Sequence, residues 1–350
     1  MFHKKIMDQS LERYSRQVLL QYIGEECQKV LMDSHAVVVG CGALGTVSSS
    51  YLTRAGIGQI RIIDRDFIEE SNLQRQILFD ENDITENLPK AIAAQRKLRK
   101  INTGITIEGI VTDVNYANIE ELTKDADIII DGTDNFETRF LINDFCIKNN
   151  IPWIYGACIG SRGLTMNIIP SKTPCLRCVF ENMPQMGTFP TCDTAGVIGP
   201  IAGVIGSIQA TEAIKILTGK YESANKTLIE FDVWDTKVKQ IDVSALKGLN
   251  DCPTCKLHTY KFLEAEDGVM TTLLCGKNAV QVMCRTISNI DLGQLAKRLA
   301  SISDVSSNEF MLKFKVKDNE FTVFPDGRAI ITGTNDLSTA KSLYSKYLGM

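Results

Sequence analysis

Histidine is scarce in this chain: His3, His35 and His258 stand far apart and form no cluster, so a His-based catalytic centre is not expected. No apolar h-region follows Lys4 and Lys5, and a secretory signal peptide is not expected. A membrane-spanning helix needs about 20 nearly uninterrupted apolar residues. The most apolar stretch, 195–217, is interrupted by Gln209, Thr211, Glu212 and Lys215 and reads as a buried helix. An excess of positive charge is also missing. The 38 Lys and Arg against 42 Asp and Glu give a net charge of -4, without the basic stripe typical of a nucleic-acid binder. Membrane and nucleic acid are thus set aside as partners. A local basic pocket for phosphate is not, because net charge says nothing of one pocket. Internal repeats and low-complexity tracts are absent as well.

Cysteine, in contrast, is plentiful. Eleven residues, an odd number with no secretory signal, point to a reducing compartment and a cytoplasmic location. Each cysteine then needs a metal, a reaction or a core position to account for it. Cys41, Cys146 and Cys158 fall on apolar or packed positions and read as core; Cys27, Cys275 and Cys284 support no argument.

A length of 350 residues, 44% hydrophobic and 23% charged, suits one large α/β domain plus a smaller one. The expected boundaries are 10–268 and 269–350. A helical N-terminal arm is expected over 10–32. Strands at 36–39, 60–63, 105–111, 127–130 and 153–157 alternate with helices at 46–55, 90–101 and 137–149. That alternation predicts a Rossmann-like, doubly wound and mostly parallel sheet with ligands at the strand C-termini. Beyond 160 the pattern becomes hairpin-like, with an extended 163–169, the apolar helix and a strand at 228–234. After a linker at 256–268, strands at 279–284, 310–316, 320–324 and 329–332 with helices at 292–300 and 335–347 predict a small α+β module. Its role is not legible.

The turn Gly40-Cys41-Gly42-Ala43-Leu44-Gly45 lies between a strand and a helix. Gly40 permits the tight turn, Gly42 lets backbone approach a phosphate, and Gly45 packs the helix against the sheet. Free N–H groups at the helix N-terminus favour an anion. Asp64 closes the next strand at the spacing where an acid bonds ribose hydroxyls. This much suits NAD or ATP equally, and an NAD-dependent oxidoreductase stays open on the loop alone. The residues beyond it favour ATP: Asn72, Arg75 and Gln76 in a polar loop, Lys90 opening a helix, and Asp131 and Asp134 past another strand end. Cations there neutralise phosphate oxygens. A carboxylate there is the natural ligand for Mg2+.

Cys175-Leu176-Arg177-Cys178 and Cys252-Pro253-Thr254-Cys255 are two CxxC knuckles. Together they supply the four thiolates of a tetrahedral, structural Zn2+ site with no open position. One such pair alone could be a redox centre. Their wide separation is unlike a compact nucleic-acid zinc module.

With these residues in place the sequence resembles the MoeB/ThiF/HesA family, bacterial relatives of ubiquitin-activating enzymes. The matching elements run from Arg13-Tyr14-Ser15-Arg16-Gln17 through the glycine turn, Asp64 with Asp66, and Ser71-Asn72-Leu73-Gln74-Arg75-Gln76. They continue with Pro89-Lys90, Asp131-Gly132-Thr133-Asp134-Asn135, the four cysteines, and Thr191-Cys192-Asp193-Thr194-Ala195-Gly196. The resemblance covers about 10–258; the C-terminal module looks like the extension on some longer bacterial relatives. It implies adenylation, at the α-phosphate of ATP, of the C-terminal Gly-Gly carboxylate of a small ubiquitin-like sulfur-carrier protein. The pathway implied is thiazole or molybdopterin synthesis, with a lean to thiazole from the motif at Cys192. Asp64 would hold the ribose; Asn72, Arg75 and Lys90 the phosphates; Asp134 the Mg2+. Arg16 would act from the partner subunit of a homodimer. The resemblance also implies that Cys192 takes part in sulfur transfer, with a sulfur donor such as a cysteine desulfurase as a further partner. A related enzyme adenylating a substrate other than a carrier remains the other reading.

Overall fold

The computed structural model of the chain describes residues 9–182, 195–247, 251–264, 269–274, 278–284 and 290–348. The chain divides into two compact units, Met1–Ala265 and Glu266–Met350. In the first, helix α1 (Gly24–Asp33) leads into β1 (His35–Val39), α2 (Ala43–Ala55) and β2 (Gln59–Ile63). Then come α3 (Lys90–Ile101), β3 (Thr106–Ile110), β4 (Ile128–Asp131), α4 (Phe136–Asn149) and β5 (Trp153–Ile159). An antiparallel part follows: β6 (Arg162–Ile168), β7 (Leu228–Asp232) and β8 (Lys237–Ile241), with α5 (Gly199–Leu217) between β6 and β7.

The eight strands form one sheet in the order β3-β2-β1-β4-β5-β6-β7-β8. The first five are parallel, and β6 to β8 add on antiparallel. Every residue of β1 is buried, as a central strand covered on both faces requires. Side-chain alternation divides it: Ala36 and Val38 pack with Leu52, Ala93, Leu98 and Ala213 from α2, α3 and α5, whereas Val37 and Val39 pack with Phe140, Leu141 and Phe145 from α4. The apolar helix α5 is a core helix. A Cβ on its Gly206 would stand 2.7 Å from Val47 Cβ, so α5 and α2 cross at glycine distance. Among the described residues no helix is long and apolar enough to cross a membrane.

The structure departs from the sequence reading in several details, among them the strands Val269–Leu273 and Val305–Ser307 and the short helices Glu81–Thr85 and Ile119–Leu122, none of which was expected. The arm expected as one helix over 10–32 is broken into a 3-10 turn (Gln9–Tyr14), a short turn (Ser15–Val18) and α1. Gly24, at φ +63°, has a left-handed backbone that a continuous helix cannot accommodate. Strand β8 was not anticipated. Its sequence Lys-Val-Lys-Gln-Ile is exposed along its whole length, so no buried face marks it as a strand.

The second unit is a six-stranded antiparallel sheet in the order β11-β12-β13-β14-β10-β9. Its strands are β9 (Val269–Leu273), β10 (Ala279–Cys284), β11 (Val305–Ser307), β12 (Leu312–Val316), β13 (Asn319–Val323) and β14 (Arg328–Thr332). Helices α6 (Leu292–Leu299) and α7 (Leu337–Leu348) supply Leu295, Leu299, Ala340 and Tyr344 to a core shared with Val280, Phe314, Phe321 and Ile331.

Candidate functional site

Strand order reverses between β1 and β4: β2 and β3 extend the sheet to one side of β1, while β4 and β5 extend it to the other. Crevices at such switch points, beyond the strand C-termini, are where open α/β sheets take ligands. The register puts Val39 opposite both Ile63 and Asp131, so the segments starting at Gly40, Asp64 and Gly132 leave the sheet at one level. Backbone bonds bind them together, Gly40 N to Ile63 O at 2.8 Å and Gly132 N to Val39 O at 2.8 Å.

The glycines of the turn meet different constraints. Gly40 has φ +88°, and a Cβ there would lie 2.6 Å from Gly132 O. At Gly45 it would lie 2.0 Å from Gly40 O. Gly132 is equally confined, 2.4 Å from Gly40 O, and sequence reasoning did not single it out. At Gly42 the nearest atoms are 3.9 Å and 4.0 Å away, so nothing in the fold itself requires a glycine there. That opening, at the N-cap of α2 where no side chain caps the helix, suits the close backbone approach of a phosphate.

Asp64 is buried and accepts from Cys41 N at 2.6 Å and Asp66 N at 2.7 Å. Burial raises its pKa, against the opposing pull of Lys90. Lys90, the first residue of α3, is itself buried; its Nζ lies 3.2 Å from Asp66 Oδ2 and its N–H donates to Asp66 O at 2.9 Å. Burial pulls the ammonium down, but the charges of Asp66 and Asp64 outweigh it and keep Lys90 above the usual lysine range. The charge of Asp134 also acts on Lys90, as it does on Arg65 and Arg139, so the strand-end carboxylate and the helix-start lysine share one field.

Asp131 and Asp134 separate cleanly. Asp131 is fully buried and accepts from Arg139 Nε at 3.1 Å and from Thr133 Oγ1 at 2.6 Å. Arg139 donates onward to Thr133 O and Gly156 O, and Gln209 Nε2 reaches Asp131 O at 2.7 Å. Asp131 is therefore a brace for the loop, and exposed Asp134 is the carboxylate presented at the strand end. Neither Arg139 nor Gln209 was legible beforehand, because nothing in their spacing links them to the loop.

The polar segment after β2 runs past the glycine turn: Gln76 Nε2 stands 4.0 Å from where a Cβ of Gly42 would be. Arg75 is half-buried and its guanidinium donates to Ser71 O at 2.7 Å. Asn72 is buried, with Oδ1 accepting from Glu69 N at 3.1 Å in a capping box. Arg16 lies elsewhere. Its neighbour Gln17 donates to Ala55 O at 3.1 Å, and the Tyr14 ring abuts Gly56, so the arm sits at the C-terminal end of α2. The glycine turn is at the other end of a 13-residue helix, about 18 Å away at 1.5 Å per residue. The fold does not bring Arg16 to its own chain's glycine turn. Cys192, with Thr191, Asp193 and Thr194, lies outside the described residues, as do His3 and Cys275.

Cys175, Cys178, Cys252 and Cys255 converge, with all four Sγ atoms within 4.8 Å of one another. Separations of 3.8 Å (Cys175–Cys178), 3.6 Å (Cys175–Cys252) and 3.4 Å (Cys178–Cys255) approach the ~3.8 Å edge of a tetrahedron with ~2.3 Å Zn–S bonds. Helix α4 organises both knuckles. Asn143 Oδ1 accepts from Leu176 N at 2.8 Å; Asp144 accepts from Thr254 Oγ1 at 2.6 Å and from Phe262 N at 3.1 Å. These two polar residues inside the apolar run 140–146 were the available clue, and the sequence reading passed over them.

A glycine turn at a switch point, flanked by a buried lysine and an exposed carboxylate, defines a nucleotide-dependent α/β enzyme. The model of the ThiF family matches residues 14–256, and the chain belongs to that family. It is 44% identical over 338 residues to the sulfur carrier protein ThiS adenylyltransferase of Bacillus subtilis (strain 168), covering 96% of this chain and 99% of the relative. The similarity therefore reaches well into the second unit. The ThiS adenylyltransferase of Escherichia coli (strain K12) is 36% identical over 249 residues, 71% of this chain and 96% of that one. Among solved structures, E. coli MccB with ATP is similar at TM-score 0.57 and 27% identity, over 67% of this chain and 72% of MccB.

Proposed function

We propose that the chain uses ATP to adenylate the C-terminal carboxylate of a ubiquitin-like sulfur-carrier protein. The observation that carries the reading is the convergence, at one switch point, of the open Gly42 cradle, buried Lys90 and exposed Asp134. Near full-length similarity to a ThiS adenylyltransferase supports the carrier as substrate and gives weight to the thiazole branch. The reaction is attack by a carboxylate oxygen of the carrier's Gly-Gly terminus on the α-phosphorus, with the bond to pyrophosphate breaking. It needs positioning and charge neutralisation more than a protein nucleophile.

In this reading Gly40, Gly42 and Gly45 shape the turn that receives the phosphates, with Gly42 open to their approach and the first turn of α2 offering the N–H groups, and Asp64 accepts from the ribose hydroxyls. Lys90, Arg75 and Asn72, the last through Nδ2, bind phosphate oxygens. Asp134 holds Mg2+, which when bound neutralises charge on the phosphates. Because its arm sits at the far end of α2, Arg16 serves the site of a second copy, and the working unit is a homodimer. Zn2+ in the four-cysteine cluster is structural, tying 252–263 to the 175–178 knuckle. Cys192 serves the later sulfur-transfer stage, with a sulfur donor such as a cysteine desulfurase. Thiol-rich composition fits a cytoplasmic setting.

Pyrophosphate exchange into ATP tests the reading. Exchange is expected only when a sulfur carrier ending in Gly-Gly is present. Carrier-independent exchange, or binding of NAD in place of ATP–Mg2+, would refute it. Cys192→Ser is expected to retain exchange and lose sulfur transfer.

A further inference from the structure

Arg16 is exposed, yet the residues around it are held to the ends of two helices. Asn102, directly after the last residue of α3, is buried; its Nδ2 donates to the Tyr14 hydroxyl at 2.9 Å and to Thr53 O at 3.0 Å. Its Oδ1 accepts from Gly104 N at 3.1 Å, so both ends of the amide are fixed. Arg13 Nη1 donates to Ile101 O at 2.8 Å. The buried Tyr14 ring fills the space beside left-handed Gly56, where a Cβ would lie 2.4 Å from the ring Cζ.

After Arg16, Gln17 Nε2 donates to Ala55 O at 3.1 Å and to Gln28 Oε1 at 2.6 Å, and the fully buried Gln28 donates to Ala55 O at 3.0 Å. Two amides thus satisfy the last carbonyl of α2, which has no partner within its own helix. None of these bonds serves the chain's own glycine turn, which lies at the far end of α2. Just beyond them Leu19 and Tyr22 keep 72% and 66% of their surface exposed, apolar area of the kind that a second copy covers.

We propose that Tyr14 and Asn102 are positioning residues for Arg16, fixing its backbone at the place from which the guanidinium enters the site of a second copy. This rests on the adenylation reading and on Arg16 acting between chains, and deepens both. An arginine that reaches across an interface does so on a long, flexible stem, so its aim depends on a fixed starting point. A misplacement of about 1 Å can cost about a hundredfold in rate. The anchor stands at the end of α3, whose first residue is Lys90. One helix thereby sets the phosphate-binding lysine of its own site and the arginine lent to the other.

Mixed dimers test it. When Arg16→Ala and Lys90→Ala chains pair, the one intact site joins the nucleotide-binding residues of the first chain to Arg16 of the second. Tyr14→Phe removes the hydroxyl that Asn102 holds and keeps the ring beside Gly56. Carried by the Lys90→Ala chain, whose arm serves the intact site, it is expected to lower carrier-dependent pyrophosphate exchange about fivefold more than when carried by the Arg16→Ala chain. That factor is the scale of one lost hydrogen bond. Gln17→Leu, which removes the bonds to Ala55 O and Gln28, should show the same asymmetry. Equal losses in the two placements, or a larger loss on the Arg16→Ala chain, would make Tyr14 a brace of its own chain and overturn the assignment. No loss in either placement would overturn it as well. If the parent pair recovers no activity after verified subunit exchange, the reading of Arg16 between chains falls while adenylation stands. Absence of any carrier-dependent exchange in the wild type removes the adenylation reading. Either of these last results takes the inference with it.

Discussion

Gly42 and Gly45 are three residues apart, and alanine at each should have opposite consequences. At Gly45 a methyl group collides with Gly40 O, so Gly45→Ala is expected to compromise folding, seen as a lowered urea midpoint. At Gly42 the space is open, so Gly42→Ala should fold like the wild type but bind ATP more weakly, since a methyl group would occupy the phosphate's approach. The two aspartates beyond β4 divide in the same way. Asp134→Ala should leave stability within about 0.5 kcal/mol, as for an exposed residue, and abolish exchange. Arg139→Ala leaves the Asp131 carboxylate buried without its cation and should cost about 3–5 kcal/mol, measured by denaturant unfolding. His35 gives a pH dependence. Burial depresses its pKa below 6.5, offset in part by its bond to Asp125 O. The neutral ring is the form the fold prefers, so its stability contribution is complete above 6.5 and declines as pH falls from there through the folded value. Urea midpoints between neutral and mildly acid pH should fall more steeply for the wild type than for His35→Phe. The glycines, acids and lysine that the fold gathers at the strand ends were legible, because such residues follow apolar strands at local spacing. Gln209 and Gly132 were not, because their partners lie on other strands and loops and spacing along the chain says nothing of them; Arg139 was not, because no pattern marks an arginine in the following helix as the partner of the strand-end Asp131.

At the scale of elements, the doubly wound order was readable from the alternation of apolar strands and helices. The break at Gly24 and the strand β8 were not. A single left-handed residue interrupts a helix that composition alone would continue, and an exposed edge strand has no apolar face to announce it. The cysteine clamp lies between these cases: two CxxC pairs announce a metal, but the role of α4 in seating them emerges only from Asn143 and Asp144. Purified protein is expected to contain one zinc per chain by elemental analysis. Stripping it with a chelator should speed hydrogen exchange at Leu176 and Phe262 N–H and leave the glycine turn protected. Uniform loss of protection would instead make the clamp a determinant of the whole fold.

At the scale of the molecule, the distance between Arg16 and the glycine turn has a consequence for assembly. If each site takes Arg16 from a partner, mixing inactive Arg16→Ala and Lys90→Ala chains should restore activity. Half of the randomly exchanged dimers are mixed, and each of these holds one intact site, so recovery should approach about a quarter of the wild-type level. No recovery after verified subunit exchange would mean that Arg16 acts within its own chain, and would contradict a site shared between two copies. The second unit has its own core, and the near full-length match to the Bacillus subtilis relative shows that it is shared with that relative. Transfer of an adenylate to a carrier's carboxylate is the central claim, and intact-mass spectrometry of the carrier reads it most directly. After incubation with the chain, ATP and Mg2+, a carrier ending in Gly-Gly should gain the mass of one adenylate, located at its C-terminus and lost with hydroxylamine. A carrier that stays unmodified while ATP–Mg2+ is bound, or an adenylate found on some other group, would contradict the account.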